Sequence, residues 1–284
     1  MSKQYFEDAR TLLESGEAVM VLGLVDTPEG VMPNVFTSVD ELAHLIEGPK
    51  YPLAKTAWRT ARALPSGSGL AVVCRICDAR ALREQERMGQ YPGRKVFPLV
   101  VPCNEEQAKR CSCAYPNSEA VAENSHSPAS ALSQELRTLL DDPNRAERWR
   151  DILQRCIKCY GCRNICPVCV CPECRLEDPA FVAPTILPPS PLPWHLCRAT
   201  HVTEMCVNCG ACQDACPAGI PLLALHISLS EMLHKSSGYQ SGTGAASPLR
   251  MASSVSGPTG TALPEWKNSC GACSCSNGGN KEEA

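Results

Sequence analysis

The chain has no apolar run long enough to cross a bilayer: its longest, AVMVLGLV at residues 18–25, falls far short of the roughly 18–20 residues required. Membrane insertion is therefore not expected. The opening residues, MSKQYFEDARTLLESGE, are charged and lack the apolar centre of a secretion signal. Positive charge is not in excess either. Against 27 Lys and Arg stand 30 Asp and Glu, a formal net charge of −3, so no global basic field points to nucleic acid or an anionic membrane. No G-x-G-x-x-G, Walker loop, G-x-S-x-G or H-E-x-x-H stands where it would work. A self-sufficient active site is not visible.

What the chain does have is 20 cysteines in 284 residues. In a short secreted chain they would suggest a disulfide scaffold; in one this long, with no signal core, they point to a reducing cytoplasmic setting where thiols serve metals and redox chemistry. Two stretches carry the argument, CIKCYGCRNICP at residues 156–167 and CVNCGACQDACP at residues 206–217. Each is the run C-x2-C-x2-C-x3-C-P by which bacterial-type ferredoxins hold [4Fe–4S] clusters. Three thiolates on one short turn can reach three irons of one cubane. The fourth Cys, followed by Pro, is carried away and serves the other cluster. The expected ligand sets are crossed: Cys156, Cys159 and Cys162 with Cys216, and Cys206, Cys209 and Cys212 with Cys166. Zinc and disulfides are the competing uses. Lys158 and Arg163 could raise a cluster potential by adding positive charge, or be merely solvated.

The length suits about two domains. Residues 5–15 have helical spacing, residues 18–25 read as a strand, and residues 38–47 read as a helix with Ser38 as N-cap and Glu41 completing a capping box. Residues 69–73 and 96–101 read as buried strands separated by a helix over residues 78–88, which argues for a parallel α/β layer. The fold class is thus α+β: an N-terminal α/β layer over residues 1–117, a connector and helix over 118–150, and a two-[4Fe–4S] ferredoxin-like domain over 151–235. That domain carries a proline-rich, extended insertion at residues 181–193, and an amphipathic helix follows Pro217. Residues 236–284 form a Gly/Ser-rich, cysteine-bearing tail, expected to be flexible.

Other cysteines remain. Cys77 follows a strand and opens a helix, where a thioredoxin-like dithiol with Cys74, a metal ligand, a flavin-site residue or a plain buried thiol are all open. Strand ends converge in an α/β layer, so Cys77, Cys103, Cys111 and Cys113 are candidates for a third iron–sulfur site. Cys169, Cys171 and Cys174 divide between metal and packing, Cys197 reads as buried, and Cys270, Cys273 and Cys275 lie in the tail. His195 and His201 are expected to be ordinary packing or surface residues.

In CDARAL at residues 77–82, VFPLVVPC at 96–103, KRCSC at 109–113, the two cluster motifs, CRATHV at 197–202 and GYQSG at 238–242, the chain resembles the iron–sulfur beta subunits of the coenzyme F420 hydrogenase/formate dehydrogenase superfamily. The resemblance covers residues 5–242. It implies electron relay to or from a catalytic oxidoreductase partner of formate dehydrogenase or hydrogenase type, and in several members FAD, although no flavin-binding residue can be carried over. The leading expectation is an electron-transfer subunit with two [4Fe–4S] clusters, a candidate third cluster and no turnover of its own. The alternatives are an FAD-containing oxidoreductase subunit and a zinc-binding structural module.

Overall fold

The computed structural model describes residues 4–114, 134–171, 174, 176, 178 and 191–243. Helix α1 (Gln4–Glu14) leads into strand β1 (Met20–Thr27), which turns at once into β2 (Gly30–Phe36). A 3-10 turn (Asp40–His44) and helix α2 (Leu53–Ala63) precede β3 (Gly69–Cys74), helix α3 (Ile76–Arg87), β4 (Lys95–Val100) and α4 (Glu105–Arg110). The four strands form one sheet in the order β2-β1-β3-β4. β1, β3 and β4 run parallel, but β2 pairs antiparallel with β1, so the layer is mixed rather than parallel throughout.

The hairpin escaped the sequence pattern because β2 is an edge strand of sequence GVMPNVF, buried only at Phe36 among its described positions. Pro33 is tolerated there, where no inner ladder requires its missing N–H. β3, by contrast, is buried at every position, as a strand covered on both faces must be. Leu70 and Val72 pack with Leu53, Ala54, Ala57 and Ala61 of α2, whereas Ala71 and Val73 pack with Ala9 of α1, Phe36 and Leu42. Helices therefore cover opposite faces of the sheet. Burying each Leu or Val of this kind stabilises the fold by about 1.5–3 kcal/mol.

Within residues 38–47 only the 3-10 turn at Asp40–His44 forms, and no α-helix. The capping contacts are displaced by one residue: Glu41 N donates to Ser38 Oγ at 3.4 Å, but the Glu41 carboxylate accepts from Thr37 N at 2.6 Å. The helix expected before the first motif is two, α5 (Gln134–Asp141) and α6 (Arg145–Gln154), broken at Asp142-Pro143, since a residue before proline disfavours helix. Helices α7 (Gly161–Asn164) and α9 (Ala211–Asp214) are single turns inside the motifs, with α8 (Pro191–Val202) between them and α10 (Leu222–Ser237) after them. α8 begins within the proline-rich stretch, because prolines in a first helical turn remove no intrahelical bond. Residues 181–190 of that stretch, and the connector at 115–133, lie outside the described residues. Leu153, Cys162, Cys212, Ile220, Leu222 and Ile227 form a second core joining the motifs to α6 and α10.

The run from Gly238 to Thr243, assigned by composition to a flexible tail, is not loose. Tyr239, Gln240 and Ser241 are buried, and Gly242 N donates to Glu84 Oε1 of α3 at 2.6 Å. Among the described residues no helix is long and apolar enough to cross a membrane.

Candidate iron–sulfur centres

The two motifs fold alike. Lys158 and Tyr160 take positive φ of 53° and 57°, and their counterparts Asn208 and Gly210 take 52° and 74°. Left-handed residues on either side of the second cysteine curl each loop so that backbone N–H groups turn inward, as in an anion-binding nest. Lys158 N approaches Cys156 Sγ at 3.4 Å accordingly. Gly161 does not have positive φ and simply opens α7; in the first motif Tyr160 takes the left-handed position. Gly210 takes it in the second, and a Cβ there would lie 2.4 Å from the Ser112 carbonyl.

The fourth cysteines cross over. Cys166 lines one cavity with Cys206, Cys209 and Cys212, together with Arg198, Asn208 and His226; it encloses about 360 Å3 of atom-free space, part of it open to solvent. Burial, then the charge of Cys166, pushes the Cys206 thiol up to about 11. On the other side Cys216 joins Cys156 and Cys159 around Cys162, whose thiol is raised by burial foremost and also by these neighbours. Cys159 is exposed, whereas Cys162 is buried. Among the described residues no three His, Cys, Asp or Glu side chains gather closely enough to hold a single metal ion. Thiols that hold the corners of a cubane stand farther apart than thiols closing on one zinc.

The thiols of the N-terminal layer also converge. Cys77 at the start of α3 hydrogen-bonds Cys113, and Cys111 does so too. Cys103 lies near enough to Cys111 that its thiol, raised mainly by burial, is raised further. Cys111 Sγ accepts from Lys50 Nζ at 2.8 Å and from Cys113 N at 3.3 Å. Lys50 Nζ also reaches the Cys209 carbonyl at 3.1 Å and Asp214 Oδ2 at 3.0 Å, binding this group to the second motif. Ala114 N donates to the Asn208 carbonyl at 3.0 Å, which lays the Cys-Ser-Cys loop over that motif. Cys74, by contrast, packs inside the sheet core.

Helix α3 gives CDARAL and the next turn of residues a structural role. Arg80 donates to the carbonyls of Val207 and Ser241 at 2.9 and 2.7 Å, and Gln85 donates to the Pro167 carbonyl at 2.6 Å. One helix thus holds both cysteine loops and the GYQSG run. Of the remaining candidates, Cys169 hydrogen-bonds Cys166 and holds its thiol low, Cys171 is exposed, and Cys174 is half-buried. Cys197 is exposed and not buried, because α8 turns Arg198 and Ala199 inward instead. His195 is buried beside the Trp194 ring, and His201 is exposed. Cys270, Cys273 and Cys275 lie outside the described residues.

The sequence reading gave no role to Arg198, although the CRATHV stretch contains it. It is 3% exposed and lines the cavity of Cys166, Cys206, Cys209 and Cys212. Its Nη2 donates to the Cys162 carbonyl at 3.0 Å, and its Nη1 lies 3.0 Å from His226 Nε2. Among the described residues no carboxylate pairs with it and its Nε finds no partner. A buried guanidinium facing four cysteines suits an anionic metal–thiolate group, since a buried charge needs an opposite one.

A mixed α/β layer closed onto cysteine-rich loops defines an iron–sulfur protein, and a family model described as 4Fe-4S binding domain matches residues 199–221, which include Cys206, Cys209, Cys212 and Cys216. The particular likeness is to F420-dependent formate dehydrogenase subunit beta of Methanocaldococcus jannaschii, 40% identical over 102 residues, 36% of this chain and 27% of that protein. F420-dependent formate dehydrogenase 1 subunit beta of Methanococcus maripaludis is 39% identical over 102 residues, 36% of this chain and 26% of that protein. The matches thus span about a quarter of the length of these curated relatives. The resemblance read from the motifs is thus supported: the chain carries a 4Fe-4S binding domain and, over 102 residues, is similar to formate dehydrogenase beta subunits.

Proposed function

We propose that the chain is an electron-transfer subunit that relays electrons through two [4Fe–4S] centres to or from a catalytic partner of formate dehydrogenase or hydrogenase type. The observation that carries this reading is the exchange of fourth cysteines, with Cys166 in the cavity of the second motif and Cys216 beside the first. Cys156, Cys159, Cys162 and Cys216 would hold one centre, and Cys206, Cys209, Cys212 and Cys166 the other. When bound, such clusters supply one-electron storage and transfer. The protein's part is to fix their spacing, shield the second set, in which no thiol is exposed and Cys212 is buried, and leave the first set near the surface at Cys159.

Cys77, Cys103, Cys111 and Cys113 would hold a third centre, with Lys50 supplying positive charge to it. The contact of residues 112–114 with the second motif favours a serial path: N-terminal set, second set, first set. The names of the relatives, which are subunits of F420-dependent formate dehydrogenases, support a partner subunit that performs the substrate chemistry. Anaerobic iron and acid-labile sulfide analysis of the purified chain should give at least eight of each, rising to twelve with the third centre. Four irons would sink the two-centre reading. The isolated chain should not reduce an artificial dye with formate or hydrogen, and should accept electrons once the partner is added.

A further inference from the structure

Arg198 stands between the two proposed centres. Its side chain lines the cavity of Cys166, Cys206, Cys209 and Cys212, while its Nη2 donates to the carbonyl of Cys162 and approaches Cys169 Sγ at 3.9 Å. The neighbouring base cannot neutralise it. His226 Nε2 lies 3.0 Å from Nη1, but imidazole has no negative charge to offer in either of its protonation states. Guanidinium remains protonated at every physiological pH. A fixed positive charge, desolvated beside thiolate-bound iron, favours whichever oxidation state is more negative, and it acts more strongly than the only half-buried Lys158 or Arg163 can.

We propose that Arg198 is a positioning and potential-setting residue shared by both centres. It raises the reduction potential of the centre on Cys166, Cys206, Cys209 and Cys212 most, and of the centre on Cys156, Cys159, Cys162 and Cys216 by a smaller amount through the Cys162 loop. The inference rests on the two-centre reading above.

The test is a dye-mediated redox titration, followed by electron paramagnetic resonance, of the loaded full chain and its Arg198→Gln and Arg198→Lys variants, with iron and sulfide measured on each. Arg198→Gln is expected to shift the reduction equilibrium of the buried centre toward the oxidised form by about tenfold, which is about 59 mV for one electron. The other centre should shift less, and Arg198→Lys should stay close to the unmodified chain. If Arg198→Gln loses iron, Arg198→Lys should restore loading because it restores the charge. Full iron in Arg198→Gln with both potentials unmoved would overturn the inference, as would equal shifts or equal iron loss in the two variants, which would mark a packing role. Four irons in the unmodified chain would instead defeat the underlying reading.

Discussion

The Arg80 guanidinium donates to the carbonyl of Val207 at 2.9 Å, across 127 residues of chain. Val207 lies between Cys206 and Cys209, so the second cysteine loop is held from outside by a side chain of the N-terminal layer. Arg80 is 1% exposed, and removing it would leave two buried carbonyls without this donor. Charged hydrogen bonds contribute about 1.5–3 kcal/mol each. Arg80→Ala is expected to destabilise the chain by on the order of 3 kcal/mol and to speed iron loss to a chelator; an unchanged thermal midpoint would rule this out.

Crossed ligation has a pairwise signature. Cys166→Ala should alter the same paramagnetic signal as Cys209→Ala, and Cys216→Ala the same one as Cys159→Ala. Were Cys166→Ala and Cys162→Ala to damage a common signal instead, each motif would hold its own cluster.

Gly210 and Gly161 should respond unequally to alanine. At Gly210 a side chain meets both a φ of +74° and the Ser112 backbone at 2.4 Å, whereas at Gly161 the tightest approach is 3.3 Å to the Ala215 carbonyl. Left-handed backbone alone costs about 1–2 kcal/mol outside glycine. Gly210→Ala is expected to destabilise the chain by on the order of 3 kcal/mol and to lower iron content, while Gly161→Ala stays within about 1 kcal/mol because alanine favours the helix it opens. Denaturant unfolding and iron analysis of both variants check the contrast.

Acidification should weaken the fold through His195. Burial first, then Arg198, lowers its pKa from 6.5 to about 4. Its contribution is fully present above the unfolded value of 6.5 and is lost as pH falls toward 4, because the unfolded chain then binds the proton more readily. Between pH 7.5 and 5.5 the unmodified chain should lose about 1 kcal/mol more than His195→Phe. Equal losses in anaerobic denaturant titrations would show that His195 does not titrate in this way.

Local signals are legible in the sequence and distant ones are not. The motif spacing marks Cys166 and Cys216 as candidates for exchange, and β3 announces itself by an unbroken apolar run. β2 cannot, since an exposed edge strand has no such run. Lys50 is separated from Cys111 by 61 positions and from Asp214 by 164, and nothing in KYP suggests either. Arg198 is likewise defined by what surrounds it, not by its neighbours in sequence. Gly161 and Gly210 look the same as letters, although one opens a helix and the other takes left-handed backbone. Strand ends suggest the convergence of Cys77, Cys103, Cys111 and Cys113, but the loop that folds Cys111 and Cys113 back has no local pattern.

The burial of residues 239–241 against α3 bears on how the molecule is made. The sheet is complete in chain order by Val100, yet Glu84 receives its bond from Gly242 and Arg80 one of its acceptors from Ser241. During synthesis, when N-terminal segments emerge first, α3 must wait for these two contacts until more than half of the chain has emerged, with Glu84 meanwhile paired to Arg87 of its own helix. Iron delivered before that moment would meet an open protein, and iron delivered afterwards a closed one. Maturation is thereby tied to residues that leave the ribosome long after the sheet they close upon.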